Sequence, residues 1–345
     1  MLTVSFHFLG EDMKYFVSRL VLCCISAPGR QSIYAARVLT LIVLFVVASL
    51  SVQAQREQLG VRYEFFGERG LNIPNPSASQ PGSLNGKNVS AAMLTLNAGI
   101  RSQLDDNTLL INGFQYRYLN VSFPTLDNTQ ISKDFHLLFY DFFLFRTLSD
   151  QFQLVAILRP GIFSDFQNVA LNHARLEAVG FVDWFLSDNL TLGLGVAYQS
   201  SVFGRLITVP VLHVVHTFGD FLLDMLLPSR GTLWYYPNPQ LEIGFDIWLN
   251  GSQYRMGAVP AGIRNPTSNA PEDQVVNFFF SNVTVGPVVR YKFFDKFYLS
   301  AEGGYTLFRR LGFGDAKLNE VFIQIPPFNA GNNTWFARFG VQVPF

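Results

Sequence analysis

Along most of this chain, apolar residues alternate with polar or small ones. In "LTLGLGVAYQ", Leu190, Leu192, Leu194, Val196 and Tyr198 alternate with Thr191, Gly193, Gly195, Ala197 and Gln199. "LEIGFDIWL" (241–249) and "RLEAVGFVDWF" (175–185) follow the same rule. So does the final "TWFARFGVQVPF", with Trp335, Ala337, Phe339, Val341, Val343 and Phe345 on one parity. A period of two is a strand with one greasy face. Segments of about ten residues with this pattern match strands tilted across a bilayer. Alternation alone leaves open whether the greasy face meets another sheet or lipid. Composition separates the two. Charged residues make up 14% of the chain, aromatics 15%, and Phe alone counts 35, whereas a soluble domain carries about 25% charged residues. So few charges imply that part of the outside does not face water. The formal net charge is zero, which points away from nucleic acid or an acidic polymer as partner.

Strand-like segments fall at 59–66, 91–102, 109–123, 134–146, 152–163, 174–186, 190–201, 206–217, 221–228, 231–237, 240–250, 275–293, 297–309 and 332–345. That makes about fourteen strands; without the two between 221 and 237 the alternative is twelve. Short Asp-containing turns, "LSDQF", "LSDNL", "FGDF" and "FDKF", alternate with long Gly/Pro/Asn/Ser stretches at 67–90, 251–274 and 310–331. Short turns on one side and long loops on the other predict an all-β fold: a transmembrane antiparallel up-and-down β-barrel, with both termini on one side.

Residues 1–54 read as a leader. Arg30 and Arg37 precede "VLTLIVLFVVASLSVQA", and the small Val52 and Ala54 place cleavage between Ala54 and Gln55. The stretch before Arg30 is longer than a usual signal n-region and suggests an upstream start codon. Residues 55–345 then form one barrel domain with a net charge of −2. Both cysteines, Cys23 and Cys24, lie in the leader, so neither a disulfide framework nor a cysteine metal site is expected in the barrel.

Strand parity assigns charges to the interior. Facing inward would be Arg62, Arg101, Arg117, Arg159, Arg290, Lys292 and Arg338, with Glu64, Asp141, Glu177, Asp183, Asp224, Glu242, Asp246 and Glu302. The opposite parity would put most of them in lipid, at about 2–4 kcal/mol for a mid-membrane Arg or Lys. The near balance of sign predicts a near-neutral lumen. The hairpin at Ser149–Asp150 should set Asp141 across from Arg159, and the one at Asp295–Lys296 should set Arg290 across from Glu302. "DFHLLFYDFFLFR" is apolar on both faces, so Phe135, Leu137, Phe139, Phe143 and Phe145 would point inward with Asp141. The interior is then either packed with side chains or lined by a greasy path.

With these features in place, residues 59–345 resemble Gram-negative outer-membrane β-barrel proteins. "LRPGIFSD" (158–165) and the repeated "LSD" turns are similar to a family of such barrels without an assigned activity. The resemblance implies residence in the bacterial outer membrane, contact with its lipid, and insertion by the barrel-assembly machinery. It also implies that Trp335, Phe339, Val341, Val343 and Phe345 form the C-terminal insertion signal that this machinery reads. Deleting Phe345 should then leave unassembled protein in the periplasm, which cell fractionation would detect.

Catalytic patterns are weak. His213 and His216 are three apart and so lie on opposite faces of a strand. Glu177 and Asp183 share a face but sit about 20 Å apart, too far for a carboxylate pair acting on one bond. "GLGVAY" lacks the third glycine of a dinucleotide site. The expectation is a non-enzymatic barrel without cofactor or metal, passing small solutes by diffusion. The alternatives are a channel for hydrophobic compounds and a plugged barrel with structural or adhesive work in its loops.

Overall fold

The computed structural model describes residues 57–70, 88–124, 130–167, 169–199, 207–257, 275–293, 297–315, 320–322 and 333–343. The leader assigned to 1–54, its Ala54/Gln55 cleavage point and Phe345 lie outside the described residues. The strands are β1 (Glu57–Gly70), β2 (Asn88–Asp105), β3 (Thr108–Pro124), β4 (Gln130–Ser149), β5 (Phe152–Ser164), β6 (Ala174–Ser187), β7 (Leu190–Gln199), β8 (Ile207–Phe218), β9 (Phe221–Leu227) and β10 (Arg230–Asn238). They continue as β11 (Leu241–Arg255), β12 (Val275–Phe293), β13 (Phe297–Asp315), the short β14 (Glu320–Phe322) and β15 (Trp335–Val343). Among the described residues, no helix is long and apolar enough to cross a membrane.

Strands β1 to β13 pair antiparallel in sequence order, β13 pairs with β15, and β15 pairs with β1. Fourteen strands therefore close on themselves, and β14 is a brief addition at the loop end of β13. The two strands that sequence left in doubt pair along their length, from Phe221↔Tyr235 to Leu226↔Arg230, which decides for fourteen over twelve. β13 runs on to Asp315, and β14 lies inside the stretch expected to be loop. Phe313 stands opposite Phe322 in the ladder there.

Closure pairs the backbone groups along the wall, the condition for strands to stand in hydrocarbon. The outer face is the apolar one: Leu194 is 70% exposed, Phe339 58% and Phe245 55%. On β3 and β4 this band has an upper edge. Leu138 and Tyr140 lie within it. Above them His136 Nδ1 is 2.7 Å from the Tyr116 hydroxyl, and Asp134 accepts from Tyr118 and Asn120 at 2.7 Å each. The chain is thus an outer-membrane-type β-barrel whose tallest strands rise above the lipid. Leu194→Arg should destabilise the folded barrel by about 2–4 kcal/mol, and Trp184→Arg, near the turn end, by about 0–1 kcal/mol. Urea titration of the barrel in lipid vesicles checks the difference; equal midpoints would place the band elsewhere.

The wall is uneven. β4 has 20 residues and β12 and β13 have 19 each, but β9 has 7 and β10 has 9. Above the low side β11 meets β5 directly. Arg255 pairs in parallel with Ser164, Asp165 N–H donates to Arg255 C=O at 3.0 Å, and Gly257 N–H donates to Asp165 Oδ2 at 2.9 Å. Lys133 Nζ lies 2.9 Å from that carboxylate, and His173 Nδ1 lies 2.7 Å from Ser164 Oγ. The nine tall strands thereby form a narrower collar on top of the fourteen-stranded base. A barrel of about eight strands has an interior just wide enough for its own side chains to fill. The collar is filled in that way. One buried cluster takes Phe66 from β1, Met93 from β2, Leu119 from β3, Phe135 from β4, Phe163 from β5, Tyr254 from β11, Phe278 from β12, Leu311 from β13 and Phe336 from β15. Strands β6 to β10 contribute nothing to it. Phe135 and Phe278 stack inside it at 4.3 Å with their planes 10° apart.

Candidate functional site

Beneath the collar, inward side chains divide the lumen. Arg117 on β3 reaches across to β11, where Nη1 donates to Asn250 Oδ1 at 3.2 Å and to Ser252 Oγ at 3.3 Å. Five strands lie between β3 and β11 on one side of that bridge, and seven on the other.

The lobe containing β12, β13, β15, β1 and β2 is filled by charge. Glu64, fully buried, sits 2.9 Å from Arg62 Nε and 2.9 Å from Arg338 Nη2. Arg338 also holds Glu302, and its Nη1 lies 3.9 Å from Asp246 Oδ2. Asp246 accepts from Arg230 Nε at 3.1 Å and from the Thr232 hydroxyl. Trp248 receives the Arg62 guanidinium at 4.5 Å and that of Arg338 at 4.3 Å. Three guanidiniums against three carboxylates balance the layer. A buried charge is tolerable only when its partners replace the water it has lost.

The lobe bounded by β4 to β10 is different. Val155, Ile157, Phe181, Ala197 and Val211 are buried along its wall, with Phe143, Phe145, Val179, Val209 and Leu226 packed against them. Polar groups interrupt this surface: Gln199 on β7 and Thr232 on β10 are buried, and ion pairs lie among the apolar residues. Asp141 Oδ1 lies 2.9 Å from Arg159 Nε, and Glu177 stands opposite Arg159 in the ladder. His213 Nδ1 donates to Asp183 Oδ1 at 2.7 Å. Gly195 faces Phe181 in the ladder, where a larger residue would have no room.

The remaining candidates are spread out. Arg101 is exposed toward the turn end of β2, opposite Ile111. Asp224 stands opposite Thr232, and Lys292 opposite Tyr298. One expected pairing is corrected: Arg290 stands opposite Ser300, not Glu302, which stands opposite Val288. The ladder runs down to Phe293↔Phe297, a register in which each residue's partner lies two positions earlier than the expected pairing placed it. Arg290 instead lies 3.5 Å from Glu242 and over the Trp234 ring at 4.1 Å. Of the C-terminal signal residues, Trp335, Phe339 and Val341 stand exposed on the outer face.

Sequence reading missed Arg230, the Asp183–His213 pair and Trp248. Arg230 shares its parity with Asp224, and His213 shares its parity with Val209 and Val211. Parity could have placed both residues inward, but not named their partners.

A family model described as a domain of unknown function, DUF6268, matches residues 50–343. No curated protein matches the chain. Among solved structures it is similar to an outer-membrane channel from Pseudomonas putida F1, at 13% identity over 85% of this chain and 97% of that one, with a TM-score of 0.43. It is also similar to the P. putida toluene transporter TodX, at 9% identity over 86% of this chain and 92% of that one, with a TM-score of 0.37. A third is the translocator domain of the autotransporter NalP from Neisseria meningitidis, at 10% identity over 91% of this chain and 98% of that one, with a TM-score of 0.34. Likenesses at these scores specify no solute and no lumen property.

Proposed function

Because the chain belongs to the DUF6268 family, whose domain spans nearly all of the barrel, we propose its function from the barrel itself: a channel of the outer membrane that passes small apolar compounds. The observation that carries this is the apolar inner wall of the β4–β10 lobe, from Phe143 and Val155 through Phe181 to Val211 and Leu226. The other lobe is occupied by its own ion pairs and the axis above by the collar core, so the apolar wall flanks the remaining route. Burial of apolar surface gains about 25 cal/mol per Å², so an apolar solute exchanges water for this wall at no cost in lost hydrogen bonds. A second reading, a passive channel for small polar solutes, draws on the Asp141–Arg159 and Asp183–His213 pairs, which could form a charged constriction. Neither reading involves a catalytic step or a cofactor, and both leave insertion to the barrel-assembly machinery.

Two measurements on the same barrel separate them. Cells producing it should admit an apolar fluorescent probe about fivefold faster than cells without it, while the pure protein in planar bilayers gives no steady current. Steady ionic steps without faster probe entry would establish the polar channel instead. Silence in both assays would leave a structural barrel acting through its loops.

A further inference from the structure

On the low side, the barrel wall ends before the apolar band does. The seven residues of β9 extend about 24 Å along the strand and, at a tilt of about 40°, rise about 18 Å, against an apolar band about 25 Å tall. The outer face agrees. On β4 it turns polar at His136 and Asp134 before the strand ends. On β9 it is apolar from Phe221 through Leu223 and Met225 to Leu227, and the chain turns back at Pro228–Ser229 without leaving the band. Among the described residues, the neighbouring edges have no strand partner above that turn. The β8 ladder to β9 begins only at Leu212↔Leu227, leaving Ile207–Val211 without a β9 partner. On the other side, Leu249 N–H donates to Ser229 C=O at 2.8 Å, and the next link on that edge of β11 is Arg255 to Ser164. The five residues between, Asn250–Tyr254, span about 17 Å. The sill is tied by Gln199 Nε2, which donates to Ser229 Oγ at 2.9 Å. Ser252, Gln253 and Tyr254 are buried, so the gap is covered along β11, and beside the sill the outer face of β7 is apolar, with Leu194 and Val196 exposed.

We propose that this step is a lateral exit usable in both directions: an apolar solute passes over the β9–β10 turn between the β4–β10 lobe and the outer leaflet, bypassing the collar. The inference rests on the apolar-channel reading and adds its route. Apolar residues continue on both sides of the sill, with Leu226 and Val209 inside and Leu227 and Val196 outside, so the solute need not meet water between lumen and lipid. A hydrophilic solute would gain nothing from such a path, which assigns the substrate class.

The test raises the wall. Two residues inserted on each side of Pro228–Ser229, continuing the β9 and β10 alternation, lift the turn by about 5 Å. Probe entry should fall about fivefold while the amount of heat-modifiable, folded barrel is unchanged. An extended barrel that folds and admits the probe at the wild-type rate overturns the exit. If the extended hairpin does not assemble, single cysteines decide instead, since the sequence has no cysteine after Cys24. A maleimide dissolved in the membrane should label Val209→Cys at least about tenfold faster than Phe139→Cys inside the collar; equal rates overturn the exit. A wild-type barrel that admits no apolar probe defeats the channel reading, whereas undiminished entry through the extended barrel defeats only the route.

Discussion

Replacing Arg338 with methionine is expected to cost the barrel about 3–5 kcal/mol, the usual result of removing one partner from a buried ion pair. Arg338 is the shared cation of Glu64, Glu302 and Asp246. Without it, among the described residues, Glu64 keeps Arg62 alone, and Glu302 loses the cation it is paired with. Carboxylates stripped of both water and a counter-charge either raise the energy of the fold or draw water into the lobe. Urea unfolding of the barrel in detergent, followed by tryptophan emission or gel mobility, measures the loss. Arg338→Lys keeps the charge but not the planar fork that reaches Glu64 and Glu302 together, so it should fall between wild type and Arg338→Met. Adding Glu64→Leu and Glu302→Leu to Arg338→Met removes the stranded charges and should recover much of the lost stability. If Arg338→Met unfolds at the wild-type urea concentration, the charged lobe is a passive lining rather than part of what holds β1, β11, β13 and β15 in register.

The second large effect concerns the seal. Phe135→Ala combined with Phe278→Ala removes the stacked pair inside the collar. Each Phe→Ala change in a packed core costs about 3–5 kcal/mol, and because the two rings touch, the double change should cost less than the sum. The functional consequence is more specific than the loss of stability. A barrel silent in planar bilayers should acquire ionic current once the collar axis is hollow, while entry of the apolar probe is unchanged because its proposed route does not cross the collar. Current that stays at zero in a folded double variant would show that something other than this pair closes the axis.

Much of the architecture is legible along the chain because barrel strands obey a local rule. Inside and outside follow from the parity of single residues, and parity alone places Arg62, Glu64, Asp246 and Arg338 on one face. Hairpin partners follow where the turn is short: Phe142↔Leu158 and Phe139↔Gly161 bracket the Asp141–Arg159 pair, at the spacing that a pivot near Asp150 implies. The same reasoning fails at Arg290, where a one-residue error in the pivot moves the partner from Ser300 to Glu302.

What the sequence determined by itself is therefore the closed transmembrane barrel and its oily outside. Those properties depend on alternation and on the hydration of side chains, both of which are read one residue at a time. The collar, the Arg117 bridge to Asn250, the placing of Arg338 among three acids and the step at β9–β10 were decided only in three dimensions. They depend on strand lengths, tilt and stagger around the ring, which bring residues more than a hundred positions apart to within hydrogen-bonding distance. No periodicity in the chain encodes that meeting.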